Sequence, residues 1–234
     1  MNLGILNCDR VSEVFAVHYG QYPDMLSALF QPIDPKMTFT VFNAVDGELP
    51  NNVHAADAYL ITGSKYGVND GFPWIAALEE FIRILHATPK KVIGICFGHQ
   101  VIAKALGGTV IKSPKGWGIG VLQNQIIQTK EWMHPPRPHF NLLASHQDQV
   151  ITLPPGAQLL ASSEFCPNNM MQIGETMLSL QSHPEFIKAY AKEVMQSRQN
   201  ILEEKVLAQG LRSLELEHEH TLIAQWLVNF LAAS

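Results

Sequence analysis

Lys90-Lys91-Val92-Ile93-Gly94-Ile95-Cys96-Phe97-Gly98-His99-Gln100-Val101-Ile102-Ala103-Lys104-Ala105-Leu106-Gly107-Gly108 reads as a short buried strand, a turn and an amphipathic helix stopped by a glycine pair. A cysteine sits at the apex of the turn. Gly94 and Gly98 lie two residues to either side of it, the Gly-x-nucleophile-x-Gly spacing of a strand-to-helix elbow. Such an elbow needs both glycines, because strand and helix approach too closely there for a side chain. A helix N-terminus also favours a thiolate through its dipole and free N–H groups, and the thiolate is the nucleophilic form.

Outward from the elbow, strands and helices alternate. Leu3 to Asn7 is a first strand, ending at Cys8-Asp9, with Cys8 expected as a small buried hydrophobe. Val11 to Phe30 has helical spacing, with Val14 and Val17 on its apolar side and a bend at Tyr19-Gly20-Gln21-Tyr22. Thr38 to Val45 and Asp57 to Ile61 are the next strands, and Trp74, Ile75, Leu78, Phe81, Ile82 and Leu85 share one helical face before Pro89. This alternation predicts an α/β fold with a doubly wound, mostly parallel central sheet flanked by helices. After Gly108 short strands follow one another with turns between them, which predicts antiparallel additions to that sheet. From Glu185 the chain is helical, with a break expected near Gly210 and a last apolar stripe of Ile223, Trp226, Leu227 and Phe230. No repeat or linker divides the chain, so residues 1–234 are expected to form one domain, with the helices from about residue 187 packed on it.

A thiolate nucleophile needs a proton acceptor and usually a group that orients it. Among ten histidines, His183 follows the alternating run Met177–Ser182 and precedes Pro184-Glu185. A histidine at a strand end with a carboxylate two residues on can be oriented by its own neighbour. His99 lies on the elbow helix, and its side chain is expected to point away from the apex. His134, His139 and His146 have no metal-ligand spacing, and His218-Glu219-His220 reads as a solvated helix face. Gly116-Trp117-Gly118-Ile119-Gly120 lacks the preceding strand and following helix of a dinucleotide fingerprint.

Gly94-Ile95-Cys96-Phe97-Gly98-His99-Gln100 together with Gln181-Ser182-His183-Pro184-Glu185-Phe186 resembles the class I (triad) glutamine amidotransferases. The likeness is particularly to the freestanding members related to the glutaminase domain of GMP synthase, and to the γ-glutamyl peptide hydrolases among them. The resemblance covers about residues 3–190. It implies the family's flavodoxin-like fold and a Cys96–His183–Glu185 catalytic triad that attacks the γ-amide of glutamine, forms a γ-glutamyl thioester and releases ammonia. It also implies an oxyanion hole from the backbone N–H groups of Gly63, in Ile61-Thr62-Gly63-Ser64, and of Phe97. Gln100 would help hold the substrate. Ser145-His146-Gln147-Asp148 is similar to the family's Ser-His-Gly-Asp segment, so Ser145 and His146 would contact the amino-acid end of glutamine, with Gln147 in place of the glycine.

Composition narrows the field. The net charge is −5 with no basic block, which argues against a nucleic-acid surface. No apolar run reaches the ~18–20 residues of a membrane helix. Three cysteines and an N-terminus without a basic, then apolar, leader predict a cytoplasmic protein. No cofactor or metal is expected. The chain has no Ser-Gly-Gly-x-Asp-Ser pyrophosphatase loop and no P-loop lysine. Three functions therefore stay open: a glutaminase that passes ammonia to a synthetase partner, an independent γ-glutamyl peptide hydrolase acting on γ-glutamyl peptides or amides, and a non-catalytic binding protein on the same fold.

Overall fold

The computed structural model describes residues 1–233. The first half alternates as expected: β1 (Asn2–Leu6), α1 (Glu13–Tyr19), α2 (Tyr22–Phe30), β2 (Thr38–Phe42), β3 (Ala58–Ile61), α3 (Pro73–His86), β4 (Val92–Ile95) and α4 (Phe97–Ala105). A run of strands follows: β5 (Thr109–Lys112), β6 (Gly118–Ile126), β7 (His139–His146), β8 (Asp148–Thr152), β9 (Ala157–Ser162), β10 (Met170–Ile173) and β11 (Met177–Leu180). Three helices close the chain: α5 (Lys188–Ser197), α6 (Glu204–Ser213) and α7 (His220–Ala232).

Nine strands form one sheet in the order β2-β1-β3-β4-β11-β10-β9-β6-β7. The strands β2, β1, β3, β4 and β11 are mutually parallel, and from β11 outward every pairing is antiparallel. β11 therefore belongs to both halves. It pairs with β4 in the register Leu180↔Ile95, although more than eighty residues separate them. Burial on both faces requires the parallel strands to be apolar throughout, and β3 and β4 are buried along their whole length. α3 and α4 cover one face and α2 and α7 the other, each with its own apolar cluster. α5 and α6 lie over β6 and β7. The last helix buries Ile223, Trp226, Leu227 and Phe230, as its spacing predicts.

Four expectations are corrected. β5, expected as a strand of the large sheet, instead pairs with β8, where no strand is expected, in a separate two-stranded ribbon that packs on α4, with Val110 and Val150 buried toward it. Val14 and Val17 are exposed (74% and 81%). α1 instead turns Phe15, Ala16 and Tyr19 inward, because Tyr190 of α5 offers an aromatic edge to Phe15 and Tyr19. The late helical break lies between Ser213 and His220, not at Gly210. Gly210 sits inside α6 facing β6, where a Cβ would fall 2.9 Å from Ile119 Cδ1, so its glycine permits close packing. His218-Glu219-His220 is not a solvated face. Glu219 precedes α7 and its carboxylate accepts the Asn141 N–H (2.8 Å), while burial pushes the His218 imidazole down to about 4.

Candidate active site

The C-terminal ends of β1, β3, β4 and β11 open on one edge of the sheet, the usual location for ligands in open α/β sheets. Cys96 directly follows β4 and caps α4, with φ 52° and ψ −100°. It is the only non-glycine residue with positive φ among the described residues. The two glycines behave as the elbow spacing predicts. A Cβ on Gly94 would lie 2.6 Å from the Gly98 carbonyl oxygen, and one on Gly98 would collide with the Ile61 carbonyl. β4 and α4, and α4 and β3, thus touch backbone to backbone.

β11 beside β4 brings His183 to Cys96. The Cys96–Leu180 backbone bond (2.9 Å) and the His183–Leu143 backbone bond (2.8 Å) hold the two residues at the ends of their strands. His183 Nδ1–H donates to Glu185 Oε1 at 2.7 Å, leaving Nε2 for the thiol side. The Phe186 ring stacks on the imidazole at 3.9 Å and 8°, which fixes its plane. Burial opposes a charge on His183. The Glu185 carboxylate and Cys96 outweigh that effect and hold its pKa above the ordinary value. Gly63, at the end of β3, closes the third side: a Cβ there would lie 2.9 Å from His183 Cε1 and 3.7 Å from Cys96 Cβ.

The loop carrying Gly63 is tied down. Gly98 N–H donates to Thr62 O (3.2 Å), Cys8 N–H to Thr62 Oγ1 (2.9 Å) and Ser64 Oγ–H to Cys8 O (2.9 Å). Asp9 accepts both the backbone N–H and the ammonium of Lys65. The N–H groups of Gly63 and Phe97 have no hydrogen-bond partner among the described residues. Gln100 donates through Nε2 to Asp148 O (2.7 Å) and Gln181 Oε1 (3.0 Å), which leaves its own carbonyl oxygen available.

Cys96 and Gln100 line a cleft of about 290 Å³ with Ser145, His146 and Asp148. His183 lines an adjoining cleft of about 200 Å³. Ser64, Lys65, Ser145 and Arg198 border both. Ser145 lines both clefts, and its hydroxyl accepts from Arg198 Nη1 (2.8 Å). His146 is buried, and its Nδ1–H donates to Asp148 O (3.0 Å). Trp117, from the glycine-rich segment before β6, lines the first cleft and carries the Arg198 guanidinium 5.1 Å from its ring centre. Phe186 as a stacking partner is legible in the sequence only in its adjacency to Glu185. Arg198 has no sequence signal, since nothing local distinguishes it from a basic residue ending a helix.

Cys8 and Cys166 are fully buried and differ from Cys96 in setting. Burial pushes both thiols up, Cys166 to about 12. His99 points into the core, paired with Ser179 Oγ at 2.9 Å. Burial lowers His99 to about 3 and His146 to about 4, so both stay neutral. Below the ordinary value of 6.5 the unfolded chain binds protons that the folded chain refuses. Stability is therefore present above pH 6.5 and lost as pH falls toward 4, by about 1.4 kcal/mol per pH unit for each such histidine. Denaturant titrations between pH 7.5 and 5 are expected to show this loss. His99→Asn should flatten the slope by about one proton, and an unchanged slope would contradict the assignment.

A family model described as glutamine amidotransferase class-I matches residues 41–201. Gamma-glutamyl peptidase 3 of Arabidopsis thaliana is 32% identical over 204 residues, covering 82% of this chain and 79% of the relative. One chain of the glutamine-hydrolysing GMP synthase of Sulfolobus acidocaldarius is 32% identical over 130 residues, 55% of this chain and 67% of the relative. A solved glutamine amidotransferase from Thermotoga maritima superposes with a TM-score of 0.79 at 19% identity, covering 100% of this chain and 99% of the other, a likeness of fold.

Proposed function

Because the chain belongs to the class I glutamine amidotransferase family, we propose that it cleaves γ-glutamyl amide bonds through a γ-glutamyl thioester on Cys96, with His183 as acid–base and Glu185 as its orienting carboxylate. The observation that carries this reading is the 2.7 Å His183–Glu185 bond beside a cysteine held at a strained elbow. The Cys96 thiol gives its proton to His183 as the sulfur attacks the γ-carbonyl carbon and the C–S bond forms. The carbonyl oxygen becomes an oxyanion, which the free N–H groups of Gly63 and Phe97 are available to receive. One such donor is worth about 3 kcal/mol in the transition state. The C–N bond then breaks, and the departing nitrogen takes a proton from His183. Water adds to the thioester while His183 accepts its proton, and glutamate leaves as the thiol is restored.

Gln100 contributes a carbonyl acceptor, and Ser145, His146 and Asp148 a polar wall, for the glutamyl part. Two substrates fit this chemistry. One is glutamine, with ammonia passed to a synthetase partner. The other is a γ-glutamyl peptide hydrolysed by this chain alone. The adjoining cleft on the His183 side favours the second, because ammonia as leaving group would not use it.

Acid quenching during turnover should reveal a γ-glutamyl group on the Cys96 peptide by mass spectrometry, with glutamate appearing in solution. Absence of both, for glutamine and for γ-glutamyl peptides, would overturn the reading.

A further inference from the structure

The two clefts differ in chemistry. The one at Cys96 is polar, as a bound glutamyl group requires. The one at His183 has one apolar wall, of Val11, Phe15, Tyr22, Phe186 and Tyr190, beside polar residues that include Asp9 and Ser12; Tyr22 stacks on Phe186 (6.2 Å) and Phe186 lies edge-on to Tyr190 (4.7 Å). Because His183 gives its proton to the leaving nitrogen, whatever that nitrogen carries departs on this side.

Three cations border the second cleft. Arg10 is paired with Asp46 and Lys65 with Asp9 (2.9 Å). Arg198 has no carboxylate partner among the described residues. Neutral groups hold it: the Ser145 hydroxyl and the Trp117 ring. Its place at the end of α5 suits a positive charge. That does not explain why the guanidinium reaches across to β7 at the junction of the two clefts. An oriented guanidinium with donors to spare is the group that best matches a carboxylate.

We infer that the second cleft binds the amine half of the substrate, an apolar α-amino acid joined through its nitrogen to the γ-carboxyl of glutamate, and that Arg198 holds that amino acid's carboxylate. This rests on the thioester reading above. The apolar side chain lies against Phe15, Tyr22 and Tyr190, and about 200 Å³ suits one residue rather than an extended peptide. The overall step consumes one water: the C–N bond is replaced by C–S and then by C–O, and the free amino acid leaves with the proton from His183.

The test compares kcat/KM for glutamine, γ-glutamylglycine, γ-glutamylphenylalanine and the C-terminal amide of the last. For the wild-type protein γ-glutamylphenylalanine should exceed both γ-glutamylglycine and its own amide by about tenfold or more, the size of one apolar side chain buried or one charged hydrogen bond. Arg198→Ala should bring the acid-to-amide ratio close to one, and Arg198→Lys should keep part of it. Equal values for acid and amide in the wild type, or a ratio that survives Arg198→Ala, would overturn the carboxylate role. Equal values for the glycine and phenylalanine compounds would overturn the apolar subsite. The wild-type comparisons stand even if an Arg198 variant fails to fold. Turnover of all four without discrimination removes this inference alone, whereas no turnover and no Cys96 adduct with any of them removes the thioester reading and this inference with it.

Discussion

Cys96→Ala is expected to give a folded protein whose glutamate release from any γ-glutamyl compound falls by at least about three orders of magnitude, the scale of losing a nucleophile. The sulfur is almost wholly buried at the apex, and alanine meets the same positive φ as cysteine, so little else changes. Cys96→Gly separates the two roles of the position. A non-glycine residue held at φ 52° and ψ −100° stores about 1–3 kcal/mol of backbone strain. Glycine relieves it, while giving up some of the gain through its freer unfolded chain. Cys96→Gly should therefore be inactive yet unfold at a higher denaturant midpoint than Cys96→Ala. Circular dichroism establishes the fold, glutamate assay the activity, and urea titration the order of stability. Brief alkylation of the native wild type should mark Cys96, which lines the cleft, ahead of Cys8 and Cys166, whose thiols burial pushes up. Wild-type-like turnover by Cys96→Ala, or equal labelling of all three thiols, would contradict the proposed role.

Gly98→Ala is the expected large effect on stability. Its Cβ would run into the Ile61 carbonyl oxygen and sit 3.0 Å from the Ile61 carbonyl carbon, and backbone on both sides cannot swing aside. α4 would have to lift from β3, losing the Gly98–Thr62 bond that ties the Gly63 loop to the elbow. Overpacking of flexible side chains costs about 1–3 kcal/mol; this rigid case should reach or exceed the upper end, and activity should fall with it. Gly156→Ala makes the control. Its Cβ meets nothing within 4 Å, and only its φ of +77° is unfavourable, a cost of about 1–2 kcal/mol. A Gly98→Ala midpoint no lower than that of Gly156→Ala would mean that the close approach matters less than the geometry requires.

The elbow is legible in the sequence because its constraints are local. Gly94, Cys96 and Gly98 are two residues apart, and strand, turn and helix each leave their period in the chain. His183 and Glu185 are legible for the same reason, since a residue can be oriented by one two places on. The facing of α1 is not legible. It depends on Tyr190, and an amphipathic pattern with apolar residues on two sides cannot say which side meets a partner. Nor does strand propensity name a strand's neighbour, so β5 reads as a further strand of the large sheet, whereas it pairs with β8 in a separate ribbon. Gly210 reads as a helix break because glycine weakens helices, whereas tight packing on Ile119 compensates for it.

Residues 90–108 and 177–186 thus hold the cysteine, histidine and carboxylate of the proposed triad, each placed by short-range chain geometry. The meeting of those two stretches depends on β11 inserting beside β4, which is a long-range pairing selected by burial of both sheet faces. The same holds for Arg198. Its charge is visible in the sequence, but its position between two clefts, resting on Trp117 and Ser145, follows from α5 docking over β6 and β7. Local spacing encodes which chemistry a segment can do. Only the packed sheet decides which segments do it together, because side-chain proximity across the sheet has no trace in sequence separation.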